Sequence, residues 1–281
     1  MKILLHKNIK LINKKKTRGL AKPLIFLISI LLNSCMFDFT PQIHKEILKA
    51  QKLIIEQKYK DAISIYERIL KESPENEIKV KIFYQLGDLL SINLSKNKKA
   101  IYYYNKIQKV TADPLWLMKS EERIGEVSFR YLRDYHQAFK SYKKLSSFKP
   151  RLKNFDFYEY RMALSLLQDK KYKKSERNFI RISKLSNHAY SLRSKYQLGH
   201  LYFEQKKWRD SITTWNSYLK YEQRKEYIIR TKFLLANAYE TIEELKKAYD
   251  LYYSILGDYP HVEVVQSRLK SIYARRIARK R

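Results

Sequence analysis

The sequence predicts an all-α fold, a right-handed α-solenoid of about six helix pairs closed by a carboxy-terminal helix. Three observations predict it. A small residue is followed four positions later by an aromatic at Ala62/Tyr66, Ala100/Tyr104, Ala138/Tyr142, Ser175/Phe179, Ser211/Trp215 and Ala248/Tyr252, and successive small residues lie 38, 38, 37, 36 and 37 apart. A second small residue stands upstream of each, at Ala50, Gly87, Gly125, Ala163, Gly199 and Ala236; the separation is 12 residues in four units and 13 in the second and third. Finally, five Gly and six Pro in 281 residues leave little turn chemistry for an all-β fold, whereas abundant Lys, Glu, Leu, Ile and Tyr suit helices with aromatic-filled cores. Small residues let two helices approach closely, and each aromatic fills the wedge where the next pair stacks. An isolated pair cannot bury its apolar face, so stacking supplies a continuous core.

The chain opens with a basic segment, Met1 to Lys22, followed by Leu24 to Leu32 (LIFLISILL), which is apolar throughout. Residues 1–34 carry eight of the 59 Lys and Arg residues and no acid. Nine apolar residues rise about 14 Å as a helix, about half a bilayer's hydrocarbon core, so the stretch reads as an export signal and not as a membrane span. The ending Leu32-Asn33-Ser34-Cys35 resembles the lipobox of bacterial lipoproteins. That resemblance implies that 1–34 is a signal peptide removed before Cys35. Cys35 would then be the lipidated first residue, diacylglycerylated with palmitate among its acyl chains. Cys35 is the single cysteine of the chain, so no intramolecular disulfide is possible. Residues 35–42 form a lipidated tether whose last seven residues, Met36 to Gln42, reach at most about 25 Å. Two or more acyl chains anchor stably where one holds only reversibly.

Repeats are expected over 43–260, in units at about 43–76, 80–114, 118–150, 156–188, 192–225 and 229–260. Pro74, Pro114, Pro150 and Pro260 fall where second helices should end, because proline cannot continue a helix. The clearest unit is Gln197 to Leu219, QLGHLYFEQKKWRDSITTWNSYL. It resembles the tetratricopeptide repeat, matching that family's L-G-x2-Y as Leu198-Gly199-His200-Leu201-Tyr202, with the small/aromatic pair Ser211/Trp215 following in the family's order. Residues 261–281 close the array as a basic capping helix, whose Val262, Val265, Leu269, Ile272 and Ile277 make one apolar stripe.

No catalytic constellation emerges. His6, His44, His136, His188, His200 and His261 are scattered without metal-ligand spacing, and no Gly-rich phosphate loop or Gly-x-Ser-x-Gly turn is present. Glu121-Glu122 and Glu243-Glu244 are neighbours in sequence, do not face each other on a helix, and read as solvated charge. The chain is therefore read as non-enzymatic, with no cofactor and no metal.

Binding falls to the repeat surface. In the repeat family the first helix of each pair lines a groove, and the resemblance maps its ligand positions onto Lys81, Tyr84, Asp88 and Ser91 in the second unit. The fourth contributes Phe157, Tyr160, Leu164 and Leu167, the fifth Arg193, Tyr196, His200 and Phe203, and the sixth Arg230, Phe233, Asn237 and Glu240. Tyr84, Tyr160, Arg193, Tyr196, His200, Phe203, Arg230, Phe233 and Asn237 are the candidate partner-binding residues, a largely aromatic groove suited to a peptide. The net charge of +31 favours anionic partners. The tail residues Arg275, Arg276, Arg279, Lys280 and Arg281 are candidates for an anionic surface.

Lipobox and repeats together look like two envelope families: the repeat lipoprotein of the outer-membrane β-barrel assembly machinery, and the periplasmic repeat protein that coordinates wall synthesis with the Tol–Pal system. The expected partners are other envelope proteins or peptides, with the membrane reached through the lipid, on the periplasmic face of the outer membrane. Nucleic acid is disfavoured, since it needs a cytoplasmic protein and phosphate ligands. A surface-exposed ligand-binding lipoprotein and a cytoplasmic adaptor are the competing classes.

Overall fold

A computed structural model of the chain describes residues 41–279, and the structured elements among them are helices. Six antiparallel pairs follow one another: α1 (Gln42–Ile55) with α2 (Tyr59–Lys71), α3 (Asn76–Asp88) with α4 (Asn97–Val110), α5 (Pro114–Val127) with α6 (Tyr135–Ser146), α7 (Phe155–Gln168) with α8 (Tyr172–Lys184), α9 (Ser191–Glu204) with α10 (Trp208–Leu219), and α11 (Lys225–Thr241) with α12 (Leu245–Tyr253). A final helix, α13 (Val262–Ala278), packs on α12. Helices touch mainly their neighbours in sequence, the one-dimensional packing of a solenoid.

The spaced small residues are the close-approach points. Ala62, Ala100, Ala138, Ser175, Ser211 and Ala248 are fully buried, and so are their partners Tyr66, Tyr104, Tyr142, Phe179, Trp215 and Tyr252. At Gly87 a Cβ would stand 2.3 Å from the Tyr104 ring, so that helix crossing tolerates only glycine without repacking.

The turn inside each pair has a recurring shape. Gln57, Ser95, Arg133, Lys170, Lys206 and Glu243 all have positive φ, between 53° and 63°, and each stands five residues before the small residue of its second helix. In the fourth pair the chain end is closed by Lys170 N–H to Leu167 O and Lys171 N–H to Leu166 O, both 2.9 Å, the paired bonds that satisfy a helix's last carbonyls. In the second and third pairs the first helix runs on as a π-helical turn, Leu89–Asn93 and Ser128–Leu132. The closing bond then spans one residue more, from Lys96 N–H to Leu90 O (2.7 Å) and from Asp134 N–H to Ser128 O (2.9 Å). These wider turns are the physical origin of the 13-residue separation in those two units.

Pro74, Pro150 and Pro260 follow the ends of α2, α6 and α12. Pro114 departs from the expectation: it is the first residue of α5, with the Asp113 carboxylate accepting from Leu115 N–H at 2.8 Å. A missing N–H costs nothing at a helix start, so there proline begins the helix and does not end one. In α13, Val265, Leu269 and Ile272 are buried against the last pair, while Ile277 is exposed, which shortens the expected stripe.

Candidate binding face

The first helix of each pair turns its outer side to one common face, and three clefts open along it. The first holds about 280 Å³ between α1, α3 and α5, with Ile47, Ile78, Tyr84 and Trp116 in its walls. The middle cleft, about 440 Å³, lies between α3, α5 and α7 and takes Tyr84 again, with Lys119, Glu122, Arg123, Glu126, Arg130, Phe157 and Arg161. The last, about 390 Å³, lies between α9 and α11 and is closed by Tyr259, Pro260 and His261 from the segment before α13.

The candidate residues divide on this face. Tyr84 stands at the junction of two clefts, edge-on to Trp116 with ring centroids 5.6 Å apart. Tyr196, His200, Arg230 and Phe233 all line the last cleft, where Phe233 stacks on Tyr259 at 4.4 Å. Arg193 is exposed, its guanidinium 5.4 Å from the Tyr190 ring. The other three sit differently from a groove residue. Tyr160 is buried at 9% exposure and stacks on Tyr190 at 4.9 Å, filling the joint between pairs. Phe203 is clamped between Trp208 (4.8 Å) and Trp215 (5.7 Å) inside its own pair. Asn237 is half-buried and its Oδ1 accepts from Tyr252 Oη at 2.6 Å. Of the remaining mapped positions, Ser91 and Leu167 are core, Phe157 reaches the middle cleft, and Asp88 accepts from Tyr104 Oη at 2.6 Å while pairing with Arg123 at 3.1 Å.

Several cleft residues were missed by the sequence reading: Ile78, Trp116, Lys119, Arg123, Arg161, Tyr259 and His261. The third unit was not mapped, although its helix α5 supplies three of them. Applying the same positional rule to it was the available signal. Arg161 stands one residue beyond the mapped position of Tyr160, and only the rotation of α7 in the stack turns it inward.

Electrostatics on this face are largely internal. Arg123 Nε donates to Tyr84 Oη at 3.2 Å and also pairs with Glu126 at 3.5 Å. Glu122 accepts from Tyr158 Oη, and burial together with that carboxylate raises the Tyr158 phenol well above its ordinary value. Glu121 is buried and accepts from Gln108 Nε2 (2.9 Å) and from Lys144 Nζ, so Glu121 and Glu122 are structural hydrogen-bond acceptors, not the solvated pair expected. Burial against Tyr196 and Trp215 lowers His200 to about 4, which keeps it neutral near pH 7.

The basic tail is also engaged. Arg275 pairs with Glu240 (3.1 Å) and Glu243, Arg279 pairs with Glu243, and Arg276 lies 5.5 Å over the Tyr249 ring. Glu243 is thereby tied to α13. Cys35, Lys280 and Arg281 lie outside the described residues. Among the described residues there is no His/Cys/Asp/Glu group arranged to hold a metal, and no helix long and apolar enough to cross a membrane.

These features define a helical-repeat protein of the α-solenoid class. Its pairs, turns and first-helix face are those of the tetratricopeptide-type solenoid. In fold the chain is similar to the apo form of the quorum sensor NprR from B. thuringiensis, with a TM-score of 0.53 at 16% identity over 90% of this chain and 76% of that one. It is similar to the apo form of RapI at TM-score 0.53 and 14% identity, over 92% and 81% of the two chains. It is also similar to PilW, a type IV pilus biogenesis factor, at TM-score 0.50 and 13% identity, over 83% and 99%. Likeness at such identities concerns the fold alone. No protein-family model and no curated protein sequence matches the chain.

Proposed function

We propose that the chain is a non-enzymatic, lipid-anchored repeat scaffold that holds a peptide or protein segment of a bacterial envelope partner along its first-helix face. The observation that carries this reading is the run of clefts along the first helices, the first two of which share Tyr84. Aromatic walls with charged side chains gathered in the middle cleft suit the side chains of a bound segment. Repeat solenoids use such extended faces for partners because each unit adds area without changing the fold. The quorum-sensor and pilus-biogenesis descriptions of the structural neighbours are in keeping with a scaffold role.

The lipobox-like Leu32-Asn33-Ser34-Cys35 supports the anchor, and a role in outer-membrane protein assembly is the envelope function proposed. Coordination of wall synthesis is the second reading, supported by the same repeats and by the closing Asp258-Tyr259-Pro260. Cell fractionation and intact mass of the Cys35→Ala chain test the anchor. The expected outcome is loss of the acyl mass and of the membrane fraction. An unchanged mass and location would leave a cytoplasmic adaptor as the better account.

A further inference from the structure

We infer that the middle cleft is a receptor for an acidic side chain, with Arg161 as the group that binds its carboxylate; this rests on the scaffold reading above and names the partner's chemistry. The Arg161 guanidinium lies 4.0 Å over the Phe129 ring, 5.5 Å from the Tyr142 ring and 5.6 Å from the Phe157 ring. Its Nε donates to Tyr142 Oη at 3.3 Å. The surrounding rings strip water from the guanidinium, Tyr142 takes only its Nε–H, and among the described residues no hydrogen bond engages its two terminal nitrogens, which stay available in the cleft wall for bidentate hydrogen bonds.

The other cleft arginines are satisfied from within the chain. Arg123 pairs with Asp88 and Glu126, and Arg130 pairs with Glu126 at 3.5 Å. Among the described residues Arg161 has no carboxylate partner, and Lys119 has none either, its ammonium resting 4.8 Å over the Trp116 ring. Of the two carboxylates in the cleft wall, Glu126 is ion-paired with the two arginines, and Glu122 accepts a hydrogen bond from Tyr158 Oη. Glu122 keeps its charge, since the Tyr158 phenol is neutral, but the lining still sets four cations (Lys119, Arg123, Arg130 and Arg161) against two carboxylates (Glu122 and Glu126), so the cleft is net positive. A preorganised, partly desolvated guanidinium with nothing opposite it is a charge awaiting its complement.

Position identifies the carrier. The cleft is central: the apolar cleft of Ile78 and Trp116 adjoins it through Tyr84, and the Tyr196–Phe233 cleft lies beyond it. A chain laid along this face passes through the middle cleft, so the carboxylate belongs to an internal Asp or Glu. The neighbouring cleft asks for an apolar or aromatic residue close to that acid.

The test uses the full chain in detergent and an array of amidated peptides of about 12 residues, which extend about 40 Å. In one set Asp or Glu stands near Leu, Phe or Trp, and in the matched set Asn or Gln replaces each acid. The expected result is that acidic peptides bind about tenfold or more tightly than their amide counterparts. Arg161→Gln should remove that preference, so that acidic peptides and their amide counterparts bind alike. Lys119→Gln, which leaves the ring cage of Arg161 intact, should reduce the preference, and it remains informative if Arg161→Gln does not fold. Equal binding of both sets, unaffected by either variant, would overturn the acidic-receptor inference and leave the scaffold reading standing. Displacement of the acidic peptides by an equimolar single-stranded oligonucleotide would overturn it in favour of a phosphate site. Absence of binding by either set would count against both the inference and the scaffold reading.

Discussion

A Cβ built on Gly199 would lie 2.2 Å from Nε1 of Trp215, the same nitrogen that donates to Tyr196 O at 3.1 Å. The missing side chain of one residue is thus what lets the indole of the other reach the backbone of α9. That single contact fixes the spacing of the fifth pair, and with it the position of Tyr196 and His200 in the last cleft.

Gly199→Ala should therefore destabilise the chain, while Gly125→Ala should be near neutral. Alanine gains about 1 kcal/mol of helix propensity at either site. At Gly125 the nearest ring atom would be 3.1 Å away, a gap that a small shift of Tyr142 relieves. At Gly199 overpacking costs up to about 3 kcal/mol, for a net loss of about 1–2. Equilibrium urea unfolding of the two variants beside the parent checks the difference.

The pair turns supply an opposite case. Lys206 is exposed and holds a φ of 59°, a conformation costly for a side chain with Cβ by about 1–2 kcal/mol. Lys206→Gly relieves that strain and loses about 0.5–1 kcal/mol to unfolded-state freedom, so a gain of about 0.5–1 kcal/mol is expected. Lys206→Val, β-branched in the same conformation, should lose more than 1 kcal/mol, roughly. The order Gly above Lys above Val in denaturation midpoint is the readout.

These features differ in how far they could be read from the chain alone. The small/aromatic spacing was legible because one contact per unit recurs at a fixed interval, and it led directly to six buried pairs. The extra residue between Gly87 and Ala100, and between Gly125 and Ala138, was visible as a number but not as a π-turn, since length alone does not say where a helix widens. Tyr160 and Phe203 fall on the groove by the repeat family's ligand positions, which report only the side of the helix that a residue shares. Whether a long ring then folds back into the joint depends on the next pair, and at Tyr160 it is Tyr190, in the turn before α9, that draws it in. Arg161 escaped notice for the converse reason: its environment of Phe129, Tyr142 and Phe157 comes from three separate elements.

His200 gives the fold a pH dependence of defined sign. Its folded value is lowered to about 4 from 6.5 by burial, so between these values the unfolded chain binds more protons. Its contribution is fully present above about pH 6.5 and is lost as pH falls toward 4, by about 1–2 kcal/mol after allowing for the part of its ring that stays open to solvent. Glu222 acts in a lower window: the Arg224 side-chain hydrogen bond, with further bonds from Tyr218 and backbone, outweighs burial and holds it at about 2, so its contribution fades below about 4.5. His200→Phe should flatten the upper slope and leave the lower one, as followed by urea midpoints between pH 7 and pH 4.

The cap offers a local test. Glu240 is nearly buried and receives Arg275 at 3.1 Å and Arg268 at 3.6 Å, tying α11 to α13. Arg275→Ala should loosen α13 by about 1 kcal/mol, since the arginine is itself one-third exposed. Amide exchange confined to α13 and its contact with α12 is the expected signature. Exchange unchanged there, with anionic-vesicle binding lost, would instead assign Arg275 to a membrane surface.

The most direct test of the account is site-specific photo-cross-linking in membranes, with the photoreactive residue placed at Tyr84 on the shared wall of two clefts or at Tyr102, exposed on the outer side of α4. The account predicts discrete adducts from Tyr84 that are absent from Tyr102 and are competed by excess acidic peptide. Adducts from Tyr102 alone, or the same adducts from both positions, would contradict it.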